Sequence, residues 1–449
     1  MKNNFLFLMV VGMFACGAVS CNKGQTHRME YQLVEHEDWT RNAVIYEVNV
    51  RQYTKEGTFK AFEQQLPQLK DLGVDILWLM PVYPISELNK KGTLGSYYAV
   101  KDYKAVSPEF GTTEDFKSLI AKAHELGFKV ILDWVANHTG CDNVWIASHK
   151  DWYVTDSTGG LQSPYDWTDA YKLNYKNAEM RAAMTDAMAF WLTDFDVDGF
   201  RCDVASEVPT DFWDSTRAVL NTVKPVFMLA EAETDELLDY AFDMDYGWRL
   251  LHLMDDVAKG EKTADSIAAY VQKATSPKDA YKMNFITNHD ENSWNGTEYE
   301  RLGAGVQTFA VLTYTLPGMP LIYSGQEIGN KKRFEFFEKD PVTSWNKNAT
   351  FAFYKKLNEL KHTQPALKAG THGGEMKFYR HSAEKNVLFF SRTKEGKELV
   401  VMLNLSNEPQ TIYSNAVLPK GGFTDFFSGK KTETLPTKLA AWEYRVFVH

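Results

Sequence analysis

The chain has 449 residues, 44% hydrophobic and 24% charged, a balance that excludes a disordered, collagenous or disulfide-stapled protein. At about 150 residues per domain, this length fits one large barrel with attachments or up to three domains. Lys and Arg number 49 against 59 Asp and Glu, a net charge of −10, whereas a nucleic-acid partner would require a basic excess. Aromatic residues reach 14%, which suits a protein that stacks on sugars, although the usual burial ranking sends most of them to the core.

The first residues read as a leader. Lys2 precedes the apolar run Phe5–Val11, and the small residues Ala18-Val19-Ser20 lead to Cys21. One positive charge, a short apolar stretch and a small-residue end form a secretory signal over residues 1–20, too short to span a membrane. Its ending resembles a bacterial lipobox, in which Cys21 is lipidated and becomes the first mature residue. The position three before it is Ala18 rather than the commoner Leu, so an ordinary cleaved signal is the alternative. Cys16 and Cys21 belong to this leader; Cys141 and Cys202 are too few for a disulfide framework or a cysteine zinc site, and are expected as small, partly buried thiols. Residues 21–40 are polar and are expected to form a tether.

A repeating helix-to-strand module begins at about residue 41. Thr58 caps a helix with apolar positions Phe59, Phe62, Leu66 and Leu69; Gly73 ends it, and Val74–Met80 is a buried strand closed by Pro81. Thr113 opens a second helix through Phe116, Leu119, Ile120 and Ala123; Gly127 stops it, and Phe128–Asp133 is the next strand. Met180, Met184, Met188 and Trp191 mark one face of a third helix ahead of the strand Gly199–Asp203. Apolar strands alternating with helices predict a parallel sheet covered on both faces. Further strands are predicted at Ala43–Val50, Val226–Ala230, Met283–Thr287 and Leu321–Tyr323, with a weak one near Tyr240–Met244. Eight strands close into an α/β fold, a (β/α)8 TIM barrel, over residues 41–365. A doubly wound open sheet is the alternative, and the lack of G-x-G-x-x-G after the first strand counts against it. The excess after strand three, about residues 139–171, is rich in Trp, Tyr, Asp and Gly and predicts a short inserted subdomain over the barrel mouth. From Ala366 to His449, short strands separated by Gly, Ser, Asn and Pro predict a C-terminal all-β sandwich with no evident chemistry.

Barrels of this kind carry their active residues at the C-terminal ends of the strands. Those ends hold Asp133 with Asn137 and His138, Arg201 with Asp203, Glu231, and Asn288-His289-Asp290. Strand alternation puts Arg201 and Asp203 on one face, where the guanidinium would keep Asp203 ionised and suited to nucleophilic attack. Glu231 ends the apolar strand Val226–Ala230, where partial desolvation suits a proton donor. Glu233, two residues on, is a rival acid expected to be solvated. Asp203 and Glu231 lie 28 residues apart and Glu231 and Asp290 lie 59 apart. A βα unit is about 30 residues, so the three fall on strands four, five and seven. Paired carboxylates of opposite tendency at one mouth are what glycosidic bond cleavage needs. For any one of them an ordinary strand-end ion pair is the alternative, but not for the set together.

With these residues assembled, the chain resembles the α-amylase family, glycoside hydrolase family 13, over almost all of the mature sequence. Asp133–His138, Gly199–Asp203, Leu229-Ala230-Glu231 and Asn288-His289-Asp290 are similar to its four signatures, in order. Gly318–Glu327 is similar to its eighth-strand motif and Leu173-Asn174-Tyr175 to the motif after the inserted subdomain. The resemblance implies Asp203 as nucleophile, Glu231 as acid/base and Asp290 as transition-state stabiliser. It implies that Arg201, His138 and His289 hydrogen-bond the reacting sugar and that Tyr98 stacks beneath it. No cofactor is implied for the chemistry; Asn137 matches a position that binds calcium in many relatives, with a structural hydrogen-bonding role as the alternative. Two departures stand out: Ser206 and Glu207 replace a frequent Lys-His pair, and Lys172 replaces a frequent acidic residue before Leu173.

The expectation is therefore an exported, lipid-anchored, retaining hydrolase of α-1,4-linked glucans or maltooligosaccharides, meeting the membrane only through its anchor. An α-glucan transferase or sugar isomerase with the same site is the alternative within enzymes. A non-catalytic surface glycan-binding protein is the alternative outside them.

Overall fold

Helices that stop at a glycine and hand over to an apolar strand set the architecture. The computed structural model describes residues 31–274, 279–416 and 422–449. The expected signal over residues 1–20 and the lipidation site Cys21 lie outside the described residues.

Eight strands form a closed parallel barrel: β1 (Ile45–Val48), β2 (Ile76–Leu79), β3 (Lys129–Trp134), β4 (Gly199–Cys202), β5 (Phe227–Ala230), β6 (Met244–Tyr246), β7 (Tyr281–Asn284) and β8 (Met319–Tyr323). Each pairs with the next, and β8 returns to β1 through Ile45 opposite Leu321. The open-sheet alternative is thereby excluded. Gly199 is demanded by this closure, since a Cβ there would sit 1.8 Å from the Phe227 carbonyl oxygen of β5. Among the described residues no helix is long and apolar enough to cross a membrane.

Local details depart from expectation for identifiable reasons. The helix expected from Thr58 is two, Phe59–Glu63 and Leu66–Leu72, because Pro67 can occupy only a first turn. Thr58 does cap the first through Ala61 N, and Gly73 closes the second at φ 89°. The weak strand near Tyr240–Met244 lies later, at Met244–Tyr246, and that expected at Met283–Thr287 lies earlier, at Tyr281–Asn284. Phe285, Ile286 and Thr287 are buried in the loop beyond β7, so apolar character continues after ladder bonding stops. The tether ends before residue 40: Val34 N–H donates to Asp239 O at 3.1 Å, His36 Nδ1 meets Asp243 Oδ1 at 2.8 Å, and Asp38–Thr40 is a short 3-10 turn.

The insertion after β3 is anchored by an antiparallel pair, His138–Gly140 with Ala170–Lys172. Past the barrel, a six-stranded sheet and a two-stranded ribbon form the C-terminal module. Alternation along Val387–Lys394 sends Leu388 and Phe390 into the core shared with the barrel, while Val387 and Phe389 pack under the ribbon with Ile412 and Leu439. Cys141 and Cys202 are both buried free thiols.

Candidate active site

Arg201 organises the barrel mouth. It sits near the end of β4, fully buried, with Nε donating to the Tyr246 hydroxyl at 3.0 Å. Its Nη1 donates to Asp133 Oδ1 at 2.9 Å and to Asp203 Oδ1 at 3.0 Å. Its Nη2 lies 3.0 Å from Glu231 Oε1, as an ion pair outside hydrogen-bonding geometry. Three carboxylates from β3 and the loops after β4 and β5 thus share one cation. The Val204 N–H adds a 2.7 Å hydrogen bond to Glu231 Oε2.

Sharing decides the electrostatics. Burial pushes the Asp203 carboxyl well above the ordinary range, and the neighbouring Glu231 pushes it further, against Arg201. The expected pair of Asp203 with Arg201 is present and opposes this rise, although the one positive charge also faces Asp133 and Glu231. Asp133 is raised by the same burial, opposed by Arg201 and His289.

The two histidines differ. His138 is buried and pushed down to about 4, a neutral ring that can bind a hydroxyl without carrying charge. His289 is buried too, yet the carboxylates of Asp290 and Glu47 overcome that burial and lift it to about 9.

A cavity of about 610 Å³ opens above these groups, lined by Tyr98, His138, Asp203, Glu231, His289 and Asp290 among others. The structure therefore brings together all the site residues expected from the sequence except Arg201, which lies beneath the floor, and Asn137. Tyr98 is held by its hydroxyl, which donates to Asp133 Oδ2 at 3.0 Å, and its ring stacks on Phe336. Glu233 does not reach the cavity: it binds Tyr270 OH at 3.2 Å and the Arg249 N–H at 3.0 Å, half-buried rather than solvated as expected.

Asn137 is buried between β3 and the inserted subdomain. Its side-chain amide lies 3.4 Å from His138 Nδ1, and its backbone carbonyl accepts from the Leu173 N–H. Among the described residues no three His, Cys, Asp or Glu side chains gather to hold a metal, whereas calcium takes about six to eight oxygen ligands.

Several site residues escaped the sequence. Glu47 on β1 contacts His289, and Trp78 on β2 donates to Asp133 Oδ2 at 3.1 Å. Trp167 and Asp169 of the insertion, Lys91, and the aromatic group Trp294, Phe336 and Phe337 line the cavity walls. The signal for Glu47 was present, as the only charged residue in the apolar run Ala43–Val50. The two departures from the family pattern face each other, with Lys172 Nζ 3.5 Å from Glu207 Oε2.

Comparison with known proteins identifies the family. Residues 35–358 match the family model described as alpha amylase, catalytic domain. The alpha-amylase MalA of Haloarcula japonica is 30% identical over 411 residues, covering 87% of this chain but 59% of that protein. The chain is thus shorter than this relative. The structure of a noncanonic maltogenic alpha-amylase from Thermotoga neapolitana superposes with a TM-score of 0.83 at 28% identity, over 91% of this chain and 98% of that one. An alpha-amylase from Lactobacillus plantarum gives 0.82 at 32% identity, over 91% and 99%.

Proposed function

The chain belongs to the α-amylase family, and from that premise we propose that it is a retaining glycoside hydrolase of α-1,4-linked glucans or maltooligosaccharides. The observation that carries the proposal is one guanidinium, Arg201, within 3.0 Å of both Asp203 and Glu231 at the floor of a sugar-sized cavity.

In the proposed first step Glu231, as the acid, gives its proton to the glycosidic oxygen. An Asp203 carboxylate oxygen bonds the anomeric carbon, and the C–O bond to the leaving sugar breaks. In the second, Glu231 takes a proton from water, the water oxygen bonds the anomeric carbon, and the Asp203 ester bond breaks. The mechanism requires the proton on Glu231 and the charge on Asp203 when substrate is seated, and Arg201 Nη1, 3.0 Å from Asp203 Oδ1, favours that charge. Asp290, 3.3 Å from His289 Nε2, faces the developing positive charge.

A timed product profile on maltooligosaccharides and starch, with NMR of the first-formed anomer, tests this. Initial α-product and a loss of turnover of about a thousandfold or more in Asp203→Asn are expected. Initial β-product, or an unimpaired variant, would refute the mechanism; longer chains without net reducing sugar would identify a transferase, and binding without turnover a glycan-binding protein. Export and lipid attachment at Cys21 belong to the same proposal, supported by the leader pattern alone. Fatty-acid labelling is expected in the native chain and absent in Cys21→Ser, and an unlabelled native chain would remove the anchor.

A further inference from the structure

Glu47 stands near the C-terminal end of β1, fully buried, in the only barrel strand before β3 to place a carboxylate among the site residues. Its Oε1 lies 2.5 Å from His289 Nδ1, while its Oε2 has no hydrogen-bond partner. A buried carboxylate oxygen left unpaired is costly, and such groups persist where they do something. The other face of the imidazole fixes its protons. The Tyr98 hydroxyl spends its single proton on Asp133 Oδ2, so across the 2.7 Å contact between Tyr98 and His289 it is Nε2 that donates. With Nε2–H directed to Tyr98, and Asp290 Oδ2 3.3 Å from the same nitrogen, Nδ1 faces the Glu47 carboxylate.

We propose that Glu47 is a positioning residue for the reaction: it holds the Nδ1 proton of His289, keeping the ring an imidazolium whose Nε2–H stays on the cavity side beside Tyr98 and Asp290. This rests on the glycosidase assignment above. Without Glu47 a neutral ring could carry its proton on either nitrogen, and only one of these tautomers donates toward the cavity. The groups facing the ring are Glu47 from β1, Tyr98 from the loop after β2, Asp133 on β3, Arg201 on β4 and its own neighbour Asp290. Burial and Arg201 oppose the cation, and Asp290, Glu47 and Asp133 favour it. His289 is accordingly raised to about 9.

Glu47→Gln tests this, because it keeps the shape and an oxygen for Nδ1–H while removing the charge. Nitrogen-15 NMR of native His289 at pH 7 is expected to show both ring nitrogens protonated. In Glu47→Gln the titration midpoint is expected to fall by about one pH unit or more, with kcat/KM reduced about tenfold above the new midpoint and nearly retained at pH 6. In a His289→Asn background the same substitution is expected to add less than about twofold. A neutral ring in the native protein, an unmoved midpoint, or an equal loss in both backgrounds would overturn the proposal. If Glu47→Gln does not fold, the native spectrum alone decides. A native chain that cleaves no α-glucan would sink the functional assignment instead, and the spectrum would still report on the pair.

Discussion

Val204, immediately after the proposed nucleophile, adopts φ 37° and ψ 49°, a left-handed conformation that β-branched residues rarely enter. The strain has a visible use: this turn aims the Val204 N–H at Glu231, joining the two key carboxylates through one peptide unit. Burial and charge act just as locally on the histidines, and their stability effects have opposite signs. His138 is held neutral, at about 4 against 6.5, so unfolding takes up a proton between those values and stability is lost as pH falls from 6.5 toward 4. His289, raised to about 9, supports the fold fully below 6.5, and that support disappears as pH climbs through 9. In urea titrations His138→Gln is expected to show a shallower loss of stability than the native chain between pH 6.5 and 4. Parallel curves would show that His138 titrates as it does in the unfolded chain.

At the scale of elements, hydrophobic periodicity located all eight barrel strands, because each is buried on both faces and reads as a short apolar run between a helix and a loop. It could not place their ends at β6 and β7, where buried loop residues continue the same pattern. The site followed the strand-end rule: Asp203 and Glu231 directly follow β4 and β5, and His289 and Asp290 lie in the loop after β7. The walls did not follow any such rule. Trp294 and Phe336 meet at 5.2 Å from loops after different strands, and nothing in their local sequence marks them as neighbours. Glu233 shows the same limit in reverse, since a charged residue just past an apolar strand found Tyr270 and Arg249 instead of water.

Across the molecule, barrel and β module share one core. Leu388, Phe390, Leu399, Val401, Leu403 and Val446 belong to the apolar cluster that contains the barrel strands. Polar contacts cross the same boundary: Ala264 N–H donates to Lys385 O at 2.8 Å, and the buried Arg392 donates to Thr315 O at 3.3 Å. A chain so joined is expected to unfold in one calorimetric transition, and two resolved transitions would show that the β module is independently stable. The eight strands and the carboxylates that follow them were legible in the sequence alone, because burial writes its period directly into residue type. The closure of the barrel, the charges gathered around Asp203 and the pairing of Glu47 with His289 were decided only in three dimensions. Each depends on which groups are brought within a few ångströms, and folding brings Glu47 and His289 together from 242 residues apart.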